Sequence, residues 1–189
     1  SSAFALSSIM VGWLGTVPLA AHQIAITCAS LAFMFPLGLS IATGMRVSRA
    51  VGAGESARRR PIAFGSIALG VGISGAFGLL FYAGGELIAT WFVHDAAVIT
   101  IAAQLLIVAA LFQIVDGVQV IGAASLRAIT DVRVPAVITF AAYWLVALPL
   151  AYQLGVRGPF GAVGIWSAIA TGLAFAAVFL ALRFARLTR

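Results

Sequence analysis

Long apolar runs separated by short charged clusters set the pattern of this chain. Ser1 to Met45 carries no formal charge and exceeds the roughly 20 residues that one transmembrane helix needs. The cluster Gly15, Thr16, Val17, Pro18 divides it as a turn. The first piece, about residues 1–15, is too short to cross a bilayer unless it continues upstream, and the second covers about 20–45. Further runs cover about 61–85, 96–126, 134–156 and 159–183, the third of these six-part divisions ending at Glu86 and the fourth interrupted by Asp116. The pattern predicts an all-α polytopic membrane protein with five full spans and one truncated span. The chain opens Ser-Ser with no initiator Met and no signal-peptide pattern, so its N-terminus is expected to be missing.

Composition agrees. With 63% hydrophobic and 8% charged residues, and a mean hydropathy of +1.15, the chain cannot coat a globule with polar surface. An ordinary cytosolic enzyme, a disordered tail and a disulfide-stapled secreted domain are excluded. Cys28 has no second cysteine and reads as a small packing residue. All eleven basic residues are Arg, and the net charge is +6. They lie between apolar runs rather than in a contiguous soluble patch, which argues against nucleic acid as a partner and for membrane lipid.

Alternating the loops between sides gives the orientation. Arg46, Arg49, Arg58, Arg59, Arg60, Arg127, Arg133, Arg183, Arg186 and Arg189 fall on one side, and Arg157 alone on the other. The positive-inside rule makes the first side cytoplasmic, with both termini inside.

Small residues recur every fourth position at Ser66, Gly70, Ser74 and Gly78, and again at Gly164, Ala168, Gly172 and Ala176. That spacing lets helix backbones approach closely in lipid. Gly70-Val71-Gly72-Ile73-Ser74-Gly75 matches a dinucleotide fingerprint by letters only. It lies mid-span, without the preceding strand or aqueous helix start that phosphate binding needs, so it reads as packing. Val51-Gly52-Ala53-Gly54 lacks the Lys-Ser/Thr of a phosphate loop. His22 reads as a polar group satisfied near the outer face, and His94–Asp95 as a solvated loop pair. No nucleophile–base or metal-ligand spacing appears, so an enzyme is not expected. Pro36 and Pro149 each remove a backbone donor inside a span, which kinks a helix and often marks a cavity.

Asp116 carries the chemistry. It lies inside the fourth span, where a carboxylate is costly unless it is protonated, paired or facing water. Gln113 and Gln119 lie one turn to either side, with Phe112, Val120 and Ala123 at similar angles. Arg127 is eleven residues on, about 16 Å along the helix and out of direct reach. Such a carboxylate can exchange a proton or hold a sodium ion, with an organic cation competing for the same charge. Tyr143 and Trp144, with Phe33, Met34 and Phe35, are candidates for an aromatic lining that takes flat cations.

Several segments have a familiar order. Ala20-Ala21-His22-Gln23-Ile24-Ala25 and Phe33-Met34-Phe35-Pro36-Leu37-Gly38 resemble the eighth helix of MATE (multidrug and toxic compound extrusion) transporters. Arg46-Val47 with Val51-Gly52-Ala53-Gly54 resembles the turn that follows it. Phe112 to Gln119 resembles the tenth helix and Ser125-Leu126-Arg127 its end. Tyr143-Trp144, Leu148-Pro149 and Gly164-Ile165-Trp166 are similar to the last two helices, in the NorM-like bacterial branch. The resemblance implies the C-terminal six-helix lobe of a twelve-helix exporter in the bacterial inner membrane, partnered by an N-terminal lobe. It implies a Na⁺- or H⁺-coupled antiporter for cationic or amphipathic organic compounds, with Asp116 as the cation-binding acid and a cavity drawn from Gln113, Gln119, Tyr143, Trp144, Phe33, Pro36 and Gln23. No organic cofactor is implied. Two departures stand out. Ala128 replaces the Gly usual after the Leu-Arg pair, and the acid that assists sodium binding on the seventh helix would fall at or before Ser1. A lipid-linked precursor flippase of the same superfamily and a non-transporting scaffold subunit are the alternatives. The former tends to line its cleft with basic residues, and no Arg lies mid-span here.

Overall fold

The computed structural model describes residues 2–189, with side chains from residue 5 onward. It is helical throughout, with no strand among the described residues. The helices are α1 (Ser2–Gly12), α2 (Thr16–Gly52), α3 (Ser56–Thr90), α4 (Ala96–Ala128), α5 (Arg133–Val156) and α6 (Gly161–Leu187). The last five are long and apolar enough to cross a bilayer, and α1, at 11 residues, is not.

The helices overrun the apolar segments. α2 passes Arg46 and Arg49 to reach Gly52, and α3 begins at Ser56, before Arg58, Arg59 and Arg60. Charge ends the stretch that lipid tolerates, but i→i+4 hydrogen bonding continues into the headgroup layer unless something stops it. Gly15 supplies the stop between α1 and α2 with φ +124°, a conformation closed to most L side chains. Asp95 belongs to a helix start rather than to a purely solvated pair. Its carboxylate accepts the Ala97 N–H at 2.9 Å and caps α4.

α4 is the central element, packed against α2, α3 and α6, while α6 also carries α5. The small-residue ladders lie at these seams. Ser66, Gly70, Ser74 and Gly78 are all buried, as are Gly164, Ala168, Gly172 and Ala176. Within the fingerprint-like run, Gly70 faces Leu39 and Ile121, while Gly72 and Gly75 face open space. Cys28 is buried in the larger core, among Ile24, Ala25 and Ala29. A smaller cluster of Val47, Ala63, Leu126, Leu180 and Phe184 closes the Arg-rich end. There the Arg183 guanidinium donates to Asp131 at 2.8 Å, tying the α4–α5 turn to α6. Leu79, Leu111 and Leu145 are each about 70% exposed, which suits a lipid-facing exterior.

The two prolines behave differently. α2 is continuous through Pro36, whose ring is buried and packs against Gly117. Pro149 lies in α5 between two wide π-helical stretches, Ala142–Ala147 and Tyr152–Val156. Widening the turn gives room for a ring that would otherwise strike the preceding carbonyl. A further break occurs at Gly84 in α3, where the dihedrals leave the helical range.

Candidate functional site

Asp116 lies 20 residues into α4, about 30 Å from its start and well inside the span. It is partly buried, and among the described residues its carboxylate has no ion pair or hydrogen bond. It opens into a cavity of about 440 Å³ walled by Ile26, Ala29, Ser30 and Phe33 of α2, Phe112 and Gln119 of α4, Tyr143 of α5 and Trp166 of α6. The volume falls within the range that takes small organic molecules. Tyr143 shares this cavity with Asp116.

Helical geometry sorts the neighbours of Asp116. At about 100° per residue, Phe112 and Gln119 fall on one flank of Asp116, and Gln113 about 60° round on the other. The first two line the cavity. Gln113 instead turns into the α2–α4 seam, is 1% exposed, and donates its Nε2–H to the Ala29 carbonyl at 3.1 Å. Its Oε1 has no partner among the described residues.

The other expected residues divide similarly. Phe33 faces the cavity, but Met34 and Phe35 are more than half exposed and point away from it, with Phe35 against Phe77. Successive helical residues diverge by about 100°, so one of the three faces any given wall. Trp144 lies outside the Asp116 cavity. It lines a second cavity of about 430 Å³ and stacks on Phe140 with centroids 5.9 Å apart. Gln119 and Tyr143 line both cavities, which joins the mid-membrane site to a groove ending at Arg127. Gln23 is exposed and remote, and Pro36 is packed into the α2–α4 contact.

Sequence reasoning missed Ile26, Ala29 and Ser30 of the α2 wall and, among the aromatic walls, Trp166. Nothing in the α6 sequence distinguishes it from lipid-facing aromatics, because its role depends on what another helix offers. That offer comes from His22, which is 1% exposed. The Trp166 indole N–H donates to His22 Nδ1 at 2.9 Å, and the rings meet edge-on. An indole N–H can only donate, so Nδ1 carries no proton and the ring is the neutral tautomer, donating its Nε2–H to Ser8 Oγ at 3.0 Å. The chain Ser8–His22–Trp166 therefore links α1, α2 and α6 and fixes the indole in the cavity wall. His22→Ala leaves a buried N–H unpaired and is expected to cost roughly 1–3 kcal/mol in thermal or detergent unfolding. In a double-mutant cycle Trp166→Phe, which deletes the stranded donor, should reduce that cost. Strictly additive losses would show that the bond contributes nothing.

Comparisons with known proteins place the chain. The MatE family profile matches residues 1–153. Over 98% of the chain it is 42% identical to a protein of Agrobacterium fabrum named "Probable multidrug resistance protein NorM". It is 39% identical over 97% of its length to "Multidrug resistance protein NorM" of Burkholderia vietnamiensis. The chain spans about two fifths of the length of these relatives, 41% of each. Among solved structures, the eukaryotic MATE transporter AtDTX14 superposes with a TM-score of 0.89 at 20% identity, covering 99% of this chain and 44% of the other. The Vibrio cholerae MATE transporter VcmN in its bent form gives 0.88 at 17% identity, over 99% and 42%. These two share the fold.

Proposed function

Because the chain belongs to the MatE family, we propose that it forms the C-terminal lobe of a cation-coupled antiporter that exports cationic or amphipathic organic compounds. The carrying observation is a carboxylate without an ion pair among the described residues, 20 residues into a 33-residue transmembrane helix, opening into a cavity lined by Phe33, Phe112, Tyr143 and Trp166. A carboxylate there binds a positive charge far more strongly than one in water, because the surrounding dielectric is low. The aromatic faces add an attraction for organic cations. Asp116 is the residue that takes either the coupling ion, H⁺ or Na⁺, or the exported cation. Mutually exclusive occupancy of one charge couples the two fluxes. Gln119 and Tyr143 continue the path toward Arg127.

The relatives named as multidrug resistance proteins support this reading, as does their length, which leaves room for a second lobe facing the Asp116 cavity. The Arg distribution supports a cytoplasmic location for the α2–α3 and α4–α5 turns and for the C-terminal end, in a bacterial inner membrane. The test is transport by the protein expressed from its complete reading frame and reconstituted in liposomes. An imposed Na⁺ or H⁺ gradient is expected to drive movement of a fluorescent organic cation, and collapsing that gradient to stop it. Movement indifferent to both gradients would overturn the coupling.

A further inference from the structure

A second polar feature of the lobe lies away from Asp116, at the Arg-rich ends of α2 and α3. Arg46 and Arg49 of α2 and Arg58 of α3 line one recess of about 360 Å³ together with Glu55. Glu55 is committed to Arg58 at 2.7 Å. Three guanidiniums thus face one carboxylate, and two positive charges remain without an acidic partner in the recess. The recess continues through Arg46, Arg58 and Ile62 into a groove of about 410 Å³ that runs between α2 and α3 past Leu39, Gly65 and Leu69. These two helices are antiparallel neighbours. Leu39, seven residues before Arg46, and Leu69, eleven after Arg58, therefore lie about 10 and 16 Å deeper in the membrane.

A charged head above an apolar furrow has the shape of one molecule that every membrane supplies. We propose that the α2–α3 groove binds an anionic phospholipid, its phosphate held by Arg46, Arg49 and Arg58 and one acyl chain laid along Leu39, Gly65 and Leu69. Guanidinium forks match phosphate oxygens pairwise, and basic pockets between transmembrane helices take anionic headgroups. Gly65 makes the furrow. A side chain built there meets nothing within 4 Å, so the space above it is open to a ligand and not reserved for packing. The proposal goes beyond the transport reading and uses it only to name the leaflet, the cytoplasmic one.

Two independent variants test the two halves of the site in the protein expressed from its complete reading frame. Native mass spectrometry in detergent compares retained phosphatidylglycerol with retained phosphatidylcholine. The unaltered protein should retain phosphatidylglycerol preferentially. Replacing Arg46, Arg49 and Arg58 together by Gln should weaken that retention about a hundredfold, and replacement by Lys only partly, since charge remains and the fork is lost. Gly65→Leu puts a side chain into the furrow, where its Cβ meets nothing within 4 Å, and should release the lipid while every charge remains. Monodisperse elution of each variant shows that it is folded. Equal retention of the two lipids, or retention of neither because the rest of the protein covers the groove, overturns the proposal. Loss in the Gln variant with full retention in Gly65→Leu does so as well, because the lipid is then held by its headgroup alone and the furrow takes no acyl chain. None of these readouts depends on transport, so a failed Asp116 reading leaves the result intact.

Discussion

Asp116→Asn is expected to reduce gradient-driven efflux by about a hundredfold or more while leaving the protein at least as stable as before. The substitution keeps the shape of the side chain and its capacity to accept a hydrogen bond. It removes the one property the proposed coupling needs, a charge that a proton, sodium or organic cation neutralises. Removing one partner of a buried charge pair costs about 3–5 kcal/mol, which at 1.4 kcal/mol per decade exceeds a hundredfold in affinity. Stability should move the other way. Within the described residues the carboxylate has no ion pair to lose, and a neutral amide is cheaper inside a membrane. Opposite signs in the two measurements separate this role from a structural one, in which stability falls and transport follows it. Fluorescent-cation efflux and thermal unfolding on the same preparation give both numbers. Coupled efflux at the unaltered level would end the proposed role of Asp116.

That residue was legible in the sequence because lipid makes a buried carboxylate conspicuous. The spans were legible for a related reason, since each charged cluster marks where the chain leaves the apolar layer. Helix ends were not, because Arg49 and Arg58 stop neither α2 nor α3 from hydrogen bonding onward. The fourfold ladders were readable as seams, since a side chain's absence matters only where another backbone approaches.

The cavity was half legible. Gln113 and Gln119 are equivalent by spacing from Asp116, and only the position of α2 decides that the first becomes a seam contact and the second a wall. Trp144 and Tyr143 are adjacent letters in a π-helical stretch that composition does not announce, yet Tyr143 alone of the two lines the cavity of the acid. Trp166 is held by a histidine 144 positions away, a relation no local pattern encodes. Residues that act through their own span can be read from periodicity. Those whose role is set by a neighbouring helix need the packing.

Packing also sets the second large effect, at Gly78. A Cβ at this position would stand 2.8 Å from the Ala110 carbonyl oxygen and 3.4 Å from its carbonyl carbon and Cα. These are backbone atoms of α4 and cannot rotate away as a side chain can. Gly78→Leu must therefore push α3 off α4, opening the seam formed by Ser66, Gly70, Ser74 and Gly78. Overpacking commonly costs about 1–3 kcal/mol, and here the loss should reach at least the upper end, because helices in lipid are held by close contact and not by apolar burial. Gly75→Leu is the control, on the same helix, with the same gain in helix propensity and nothing within 4 Å of its Cβ. Thermal unfolding should show Gly78→Leu strongly destabilised and Gly75→Leu near the unaltered protein, and equal behaviour would refute the close-contact account. Ala110 precedes Asp116 by less than two turns, so a displaced α4 also carries the acid away from Phe33 and Tyr143. Efflux in Gly78→Leu is accordingly expected to fall together with stability, the reverse of the opposing shifts at Asp116.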